Sequence, residues 1–190
     1  MSVEGTRRDE IIKTAARLFK EKGYNAVTMR DLATAMGIKA ASLYNHISSK
    51  QEILKAIIIS LAEEFTQEMK SIKAADLDVI EKLKLIIALH VGISVKNTYG
   101  MACLNNDWMH LEDYSDYYLK LRRDYEQDIV AIIKTGMSTQ ELKISDPEIV
   151  MFSLLSTLRS LYLWIPKDKE VDSKLLAENL SQILIYGINN

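Results

Sequence analysis

Apolar residues recur at three- and four-residue intervals along almost the whole chain, and no stretch alternates in the manner of a half-buried strand. Ile11, Ala15, Leu18 and Phe19 share one face of a first helix, opened by a Thr6–Asp9 capping box and stopped at Gly23. Thr28 caps a short second helix with Met29, Leu32, Ala33 and Met36 inside, ended by Gly37. A third helix runs roughly from Lys39 to His46. Ser49 and Glu52 then read as the capping box of a long fourth, striped by Ile53, Ile57, Leu61 and Phe65. From Asp76 the pattern continues through Ile80, Leu83, Ile87, His90 and Val91. An irregular region around Gly100 precedes a helix carrying Tyr118, Leu121, Tyr125, Ile129 and Ile132, closed at Gly136. Ser145 or Asp146 caps the next, with Pro147 in its first turn, and that helix reaches about Trp164, where Pro166 breaks it. The last, from about Ser173, carries Leu176, Leu180, Ile183 and Leu184. The expected fold is all-α with about nine helices.

Charge divides this helical chain in two. Residues 1–50 hold nine Lys/Arg against five Asp/Glu, a net +4, while the remainder carries −6. A basic head on an acidic body suggests a polyanion partner for the head alone. At 190 residues and 48% hydrophobic, the chain suits one domain or two small ones with a sizeable core. Cys103 is the only cysteine, so no intrachain disulfide forms and a cytoplasmic address is expected. The stretch "MSVEGTRRDE" lacks the apolar core of a signal peptide, and no apolar run is long enough to span a membrane.

Two short helices joined by a tight turn at Gly37, held against a preceding helix, fit a helix-turn-helix. Ala33, Ile38 and Leu43 are small or apolar enough to pack the pair. The second helix then presents Lys39, Ala40, Ser42, Tyr44 and Asn45 outward, small enough to enter a major groove and polar enough to reach base edges. Lys50 begins the following helix, where free backbone N–H groups favour a phosphate.

The segment "TMRDLATAMGIKAASLYNHISSKQEIL" resembles the DNA-binding segment of TetR-family transcriptional regulators. Thr28, Leu32, Ala33, Gly37, Ile38, Ser42, Leu43, Tyr44, His46, Ser49, Lys50 and Leu54 match the family pattern, and Ile47 stands where the family usually has Phe. The resemblance implies that Thr28, Tyr44, His46 and Lys50 contact phosphates, and that Lys39, Ala40, Ser42 and Asn45 face bases. Structural roles stay open beside these: Tyr44 and His46 as caps on the small core, Thr28 as a helix cap alone, Lys50 as a solvated lysine. The domain division expected is residues 1–50 for DNA binding and 51–190 for effector binding and dimerisation.

In the family, two C-terminal helices pair with their copies in a four-helix interface, and the homodimer reads a palindromic operator of double-stranded DNA. Leu154, Leu158, Leu161, Leu180 and Leu184 are the candidate interface residues, with an intrachain core as the alternative. Between the head and these helices, His90, Ser94, Asn97, Asn105, Trp108, His110, Tyr118, Arg122 and Tyr125 mix polar groups into apolar faces, as a small-molecule pocket requires. His90 reads equally as a buried, hydrogen-bonded histidine. Arg122 calls for an anion, which a ligand or a carboxylate such as Glu126 or Asp128 would supply. A second resemblance rests on Arg122, Tyr125, Gly136, Trp164, Pro166 and Gly187. It points to regulators of fatty-acid, sterol or aromatic-acid catabolism, several of which respond to acyl-CoA thioesters.

The function expected is a ligand-responsive repressor, released from its operator by a small molecule such as an acyl-CoA or another hydrophobic metabolite. One alternative is a helical interaction protein that binds no DNA; another is a small cytosolic enzyme using Cys103 with His90 or His110. The sequence holds no HExxH, P-loop or GxSxG motif, and His90, Cys103, Asp107 and His110 match no common metal spacing. No catalytic residue, metal or cofactor is therefore expected.

Overall fold

Thr6 opens α1 (Arg7–Lys22) through a reciprocal box with Asp9, and Ile11, Ala15, Leu18 and Phe19 are buried beneath it. Thr28 and Asp31 repeat that box at the start of α2 (Met29–Ala35). The turn to α3 (Ala40–Tyr44) is made by Gly37 at φ 65, a conformation that costs other residues a Cβ clash. Gly37 N–H reaches the Thr34 carbonyl at 3.1 Å and Ile38 N–H that of Ala33 at 3.0 Å, closing the end of α2 as a Schellman motif.

In the computed structural model, which describes residues 6–165 and 170–187, nine α-helices and no strand occur among the described residues. The remaining helices are α4 (Lys50–Ala74), α5 (Val79–Lys96), α6 (Thr98–Asn106), α7 (Ser115–Ser138), α8 (Pro147–Trp164) and α9 (Ser173–Ser181). Two short 3-10 turns, Trp108–His110 and Glu112–Tyr114, connect α6 to α7, and a π-helical turn, Gln182–Tyr186, extends α9. None of the described helices is long and apolar enough to cross a membrane.

The chain divides into two units. The first runs up to Ala62 and also takes Tyr99–Tyr118; the second is Glu63–Thr98 together with the chain from Leu119 onward. In the first, α1 packs on α2 and α2 on α3, with Leu43 and Ile47 among the fully buried side chains. Ile47 thus fills the core from the position where the family pattern has Phe. In the second, α5 packs against α8 and α9.

Several local expectations change. Ser49 accepts the Glu52 N–H at 3.0 Å, but the Glu52 carboxylate returns to the Ser48 N–H and hydroxyl, both at 2.8 Å, so the box closes one residue early. The region around Gly100 is not irregular: it is α6, with Gly100, Met101, Ala102, Cys103 and Leu104 buried. Gly136 does not close α7, which continues to Ser138; a Cβ there would stand 2.7 Å from Val79 Cγ1 and 2.9 Å from Leu142. Close packing, not helix termination, is what requires glycine at this position. Asp146, rather than Ser145, caps α8. The expected break at Pro166 lies outside the described residues.

The candidate dimer-interface leucines divide by burial. Leu154, Leu158 and Leu161 are buried inside their own unit, Leu158 completely, while Leu180 and Leu184 are half-buried. The exposed apolar stripe of α8 is instead Ile149, Phe152, Leu163 and Trp164, with Ser153, Ser156 and Ser160 exposed between them. On α9 and its π-helical extension the exposed apolar residues are Leu175, Ile183 and Tyr186. Both helices carry apolar residues on two faces, and the leucine-rich face of α8 turns inward.

Candidate nucleic-acid interface and buried polar cluster

Burial of Leu43 and Ile47 fixes which face of the third helix looks outward. Lys39, Ser42, Asn45 and His46 are exposed, Tyr44 is 53% exposed, and Ala40 is half-buried. An aromatic ring left so far in solvent on a five-residue helix is not serving as a cap on the core. Thr28 is a cap: its hydroxyl lies 2.6 Å from Asp31 Oδ2 and accepts the Asp31 N–H at 3.2 Å. Two hydrogen bonds donated by Thr28 to the Asp31 carboxylate, one from its hydroxyl and one from its N–H, hold that carboxyl below its usual value.

Lys50 is neither a solvated lysine nor a fully free phosphate ligand. Its ammonium donates to the carbonyl oxygens of Tyr24 and Val27, each at 3.0 Å, and sits 4.2 Å from the Tyr24 ring centroid. Two of its three hydrogens are committed to holding the loop between α1 and α2. Tyr24 is itself fixed by edge contact with Phe19 and by stacking on His110, at 5.2 Å between centroids. Gln51 adds hydrogen bonds to the His110 carbonyl and to Glu112, both 2.8 Å. His110 therefore belongs to the support of the head.

The residues expected to line an effector pocket separate between the two units. In the first, Trp108 packs on Tyr118, Tyr118 donates to the Leu104 carbonyl at 3.3 Å, and Asn105 donates to that of Met101 at 2.8 Å. In the second, Asn97 is an exposed cap at the end of α5, whereas His90, Ser94 and Tyr125 are buried. His90 Nε2 lies 3.0 Å from the Tyr125 hydroxyl, and the Phe65 ring stands 4.5 Å from the imidazole and 5.7 Å from the Tyr125 ring. Burial, aided by the charge of Arg159, pushes the His90 pKa down to about 3, so the ring is neutral. Among the described residues, His90 Nδ1 and Ser94 Oγ are buried without a hydrogen-bond partner.

Arg122 finds its anion inside the chain. Its Nε lies 3.1 Å from Glu126 Oε1, and Arg159 reaches the same oxygen at 2.7 Å. Burial works to raise the Glu126 carboxyl, but Arg159 and Arg122 prevail and hold it below its ordinary value. Asp128, the other candidate, pairs with Lys73. Phe65 and Arg159 were not expected at the cluster. A lone basic residue in the otherwise apolar stretch "LLSTLRSLYLW" was the available signal for Arg159.

Cys103 is buried, 3.8 Å from the Ala16 carbonyl, and burial pushes its thiol up, the reverse of what an activated nucleophile needs. A separate open groove of about 880 Å³ runs between α5 and α9, with Leu85, Ala88, Gly92 and Ala177 along it. None of the expected effector residues lines that groove.

Residues 11–57 match the family described as bacterial regulatory proteins, tetR family, and residues 76–188 match the tetracyclin repressor-like C-terminal domain. The transcriptional repressor KstR2 of Rhodococcus jostii strain RHA1 is 24% identical over 185 residues, covering 96% of this chain and 91% of that protein. The crystal structure of the TetR-family regulator PfmR from Thermus thermophilus superposes with a TM-score of 0.83 at 25% identity, covering 96% of this chain and all of the other. AibR, in a complex with isovaleryl coenzyme A and operator DNA, shares the fold at a TM-score of 0.77 and 20% identity, over 94% of this chain and 98% of that one.

Proposed function

Since the chain belongs to the TetR family of bacterial regulatory proteins, we propose that it is a cytoplasmic transcriptional repressor that binds palindromic operator DNA as a homodimer and is released by a small-molecule effector. The observation that carries this reading is the outward face of α3. Lys39, Ser42, Tyr44, Asn45 and His46 are exposed while the intervening Leu43 and the following Ile47 are buried, so polar and small side chains meet the groove and the large aliphatic ones do not. Lys39, Ala40, Ser42 and Asn45 face bases; Tyr44, His46 and Thr28 meet the backbone; Lys50 positions them through its hold on Tyr24 and Val27. The head is residues 1–50, and residues 51–190 serve dimerisation and the effector.

The exposed stripes of α8 and α9 support the homodimer. Small serines between Phe152 and Leu163 allow a second helix to approach closely while the large residues flank it. For the effector, the supports are the buried cluster around His90, Ser94 and Tyr125 and the isovaleryl coenzyme A carried by AibR. An acyl-CoA or similar hydrophobic metabolite would release DNA by favouring a form of the dimer whose heads no longer match the two half-sites.

Fluorescence anisotropy of a labelled duplex taken from the DNA upstream of the chain's own gene tests the reading. Binding that weakens steeply as salt rises is expected. Absence of salt-sensitive binding across that region would refute it.

A further inference from the structure

The buried cluster on α5 also constrains what the effector looks like, an inference that rests on the effector-responsive reading above. His90 is 3% exposed and Ser94 fully buried, and they lie one helical turn apart on one face of α5. Leaving a buried polar atom unpaired costs about 1–3 kcal/mol, so two neighbouring orphans call for a partner.

The hydrogen-bond roles can be assigned from the neighbours. The one hydrogen-bond partner of the Tyr125 hydroxyl among the described contacts is His90 Nε2, at 3.0 Å. Satisfying that buried phenol makes Nε2 the acceptor, which puts the proton of the neutral ring on Nδ1. Nδ1–H and the Ser94 hydroxyl are then both donors seeking an acceptor. A carboxylate could accept both, but it would be buried beside Phe65 and Tyr125, and the nearest cation, Arg159, is already paired with Glu126 at 2.7 Å, so the charged form is disfavoured. A carbonyl oxygen has two lone pairs and no charge.

We propose that the buried cluster of the second unit receives an uncharged carbonyl oxygen of the effector, which accepts hydrogen bonds from His90 Nδ1–H and Ser94 Oγ–H. The acyl or ring body next to that carbonyl lies against Phe65 and Tyr125. Thioesters, ketones and esters share the chemistry. Alkanes, thioethers and free carboxylates lack it.

The test uses the full chain and two matched pairs of probes: octanoyl coenzyme A against S-octyl coenzyme A, and S-methyl octanethioate against methyl octyl sulfide. Within each pair only the carbonyl differs. Calorimetry should show the carbonyl compound bound about tenfold or more tightly than its thioether. Preference within the coenzyme A pair alone makes the source a coenzyme A thioester; preference within both makes it a simple carbonyl compound. Ser94→Ala should reduce the preference severalfold. The same substitution should raise the melting temperature of the unliganded protein by about 2–4 °C, because an orphan hydroxyl is gone. A hydroxyl with a purely structural role would lower that temperature. Equal binding within both pairs, no binding of any carbonyl probe, or a preference unchanged in Ser94→Ala overturns the proposal. Operator binding by the wild-type protein, measured in parallel, separates this failure from failure of the regulator reading.

Discussion

Lys50 Nζ lies 3.0 Å from the Tyr24 carbonyl oxygen and 4.2 Å from the centroid of the same residue's ring, so one ammonium grips both the backbone and the side chain of Tyr24. A residue expected to meet DNA at the start of a helix is thus built into the support of the head. Replacing it by methionine keeps the stem and removes two charge-assisted hydrogen bonds, each worth about 1.5–3 kcal/mol. Lys50→Met should lower the urea midpoint and weaken operator binding while leaving the slope of log affinity against log salt nearly unchanged. A slope that falls by about one counterion, with stability intact, would make Lys50 a phosphate ligand instead.

Lys39 and Asn45, both proposed to face bases, are exposed at the two ends of the third helix. Asn45→Ala should cost about 1–3 kcal/mol against the preferred operator and relax discrimination at one position of each half-site. An equal loss of affinity on every sequence would show that Asn45 reads no base.

On α8, neighbouring apolar residues have opposite fates: Phe152 is 68% exposed and Leu158 fully buried. Phe152→Glu should shift the protein from dimer to monomer in sedimentation velocity at micromolar concentration with its helical content unchanged. Leu158→Ala should instead destabilise the fold by about 2–5 kcal/mol through the cavity it leaves. A Phe152→Glu protein that sediments like the wild type would place the interface elsewhere.

The helical layout can be read from the sequence because apolar spacing and caps agree: Thr6, Thr28 and Pro147 all stand where helices begin. Residues whose role depends on a neighbour distant in sequence are the ones that mislead. Gly100 has the look of a breaker, yet it is buried within α6; Gly136 has the look of a stop, yet Val79 and Leu142 leave no room for a Cβ. The leucines of α8 suggest an interface because two apolar faces of one helix are indistinguishable until a core claims one. The outward set on α3 is legible, since a buried Leu43 and Ile47 fix the rest by helical geometry. The role of Lys50 is not, because its partners are backbone carbonyl oxygens, which every residue carries whatever its side chain.

His90 makes stability depend on pH in a defined window. Its folded-state pKa is pushed down to about 3 from 6.5 by burial and by Arg159. Below pH 6.5 the unfolded chain takes up a proton that the folded chain refuses, so stability falls as pH drops from 6.5 towards 3. One such proton contributes about 1.4 kcal/mol per pH unit, or roughly 2 kcal/mol by pH 5. His90→Gln retains a polar neighbour for Tyr125 without titrating, so its stability should lose that component of the slope. Urea unfolding of both proteins from pH 7.5 to 5 measures the difference. Parallel stability curves for the two would mean that folded His90 takes up a proton as readily as unfolded His90, and the acceptor role assigned to Nε2 would fall with it.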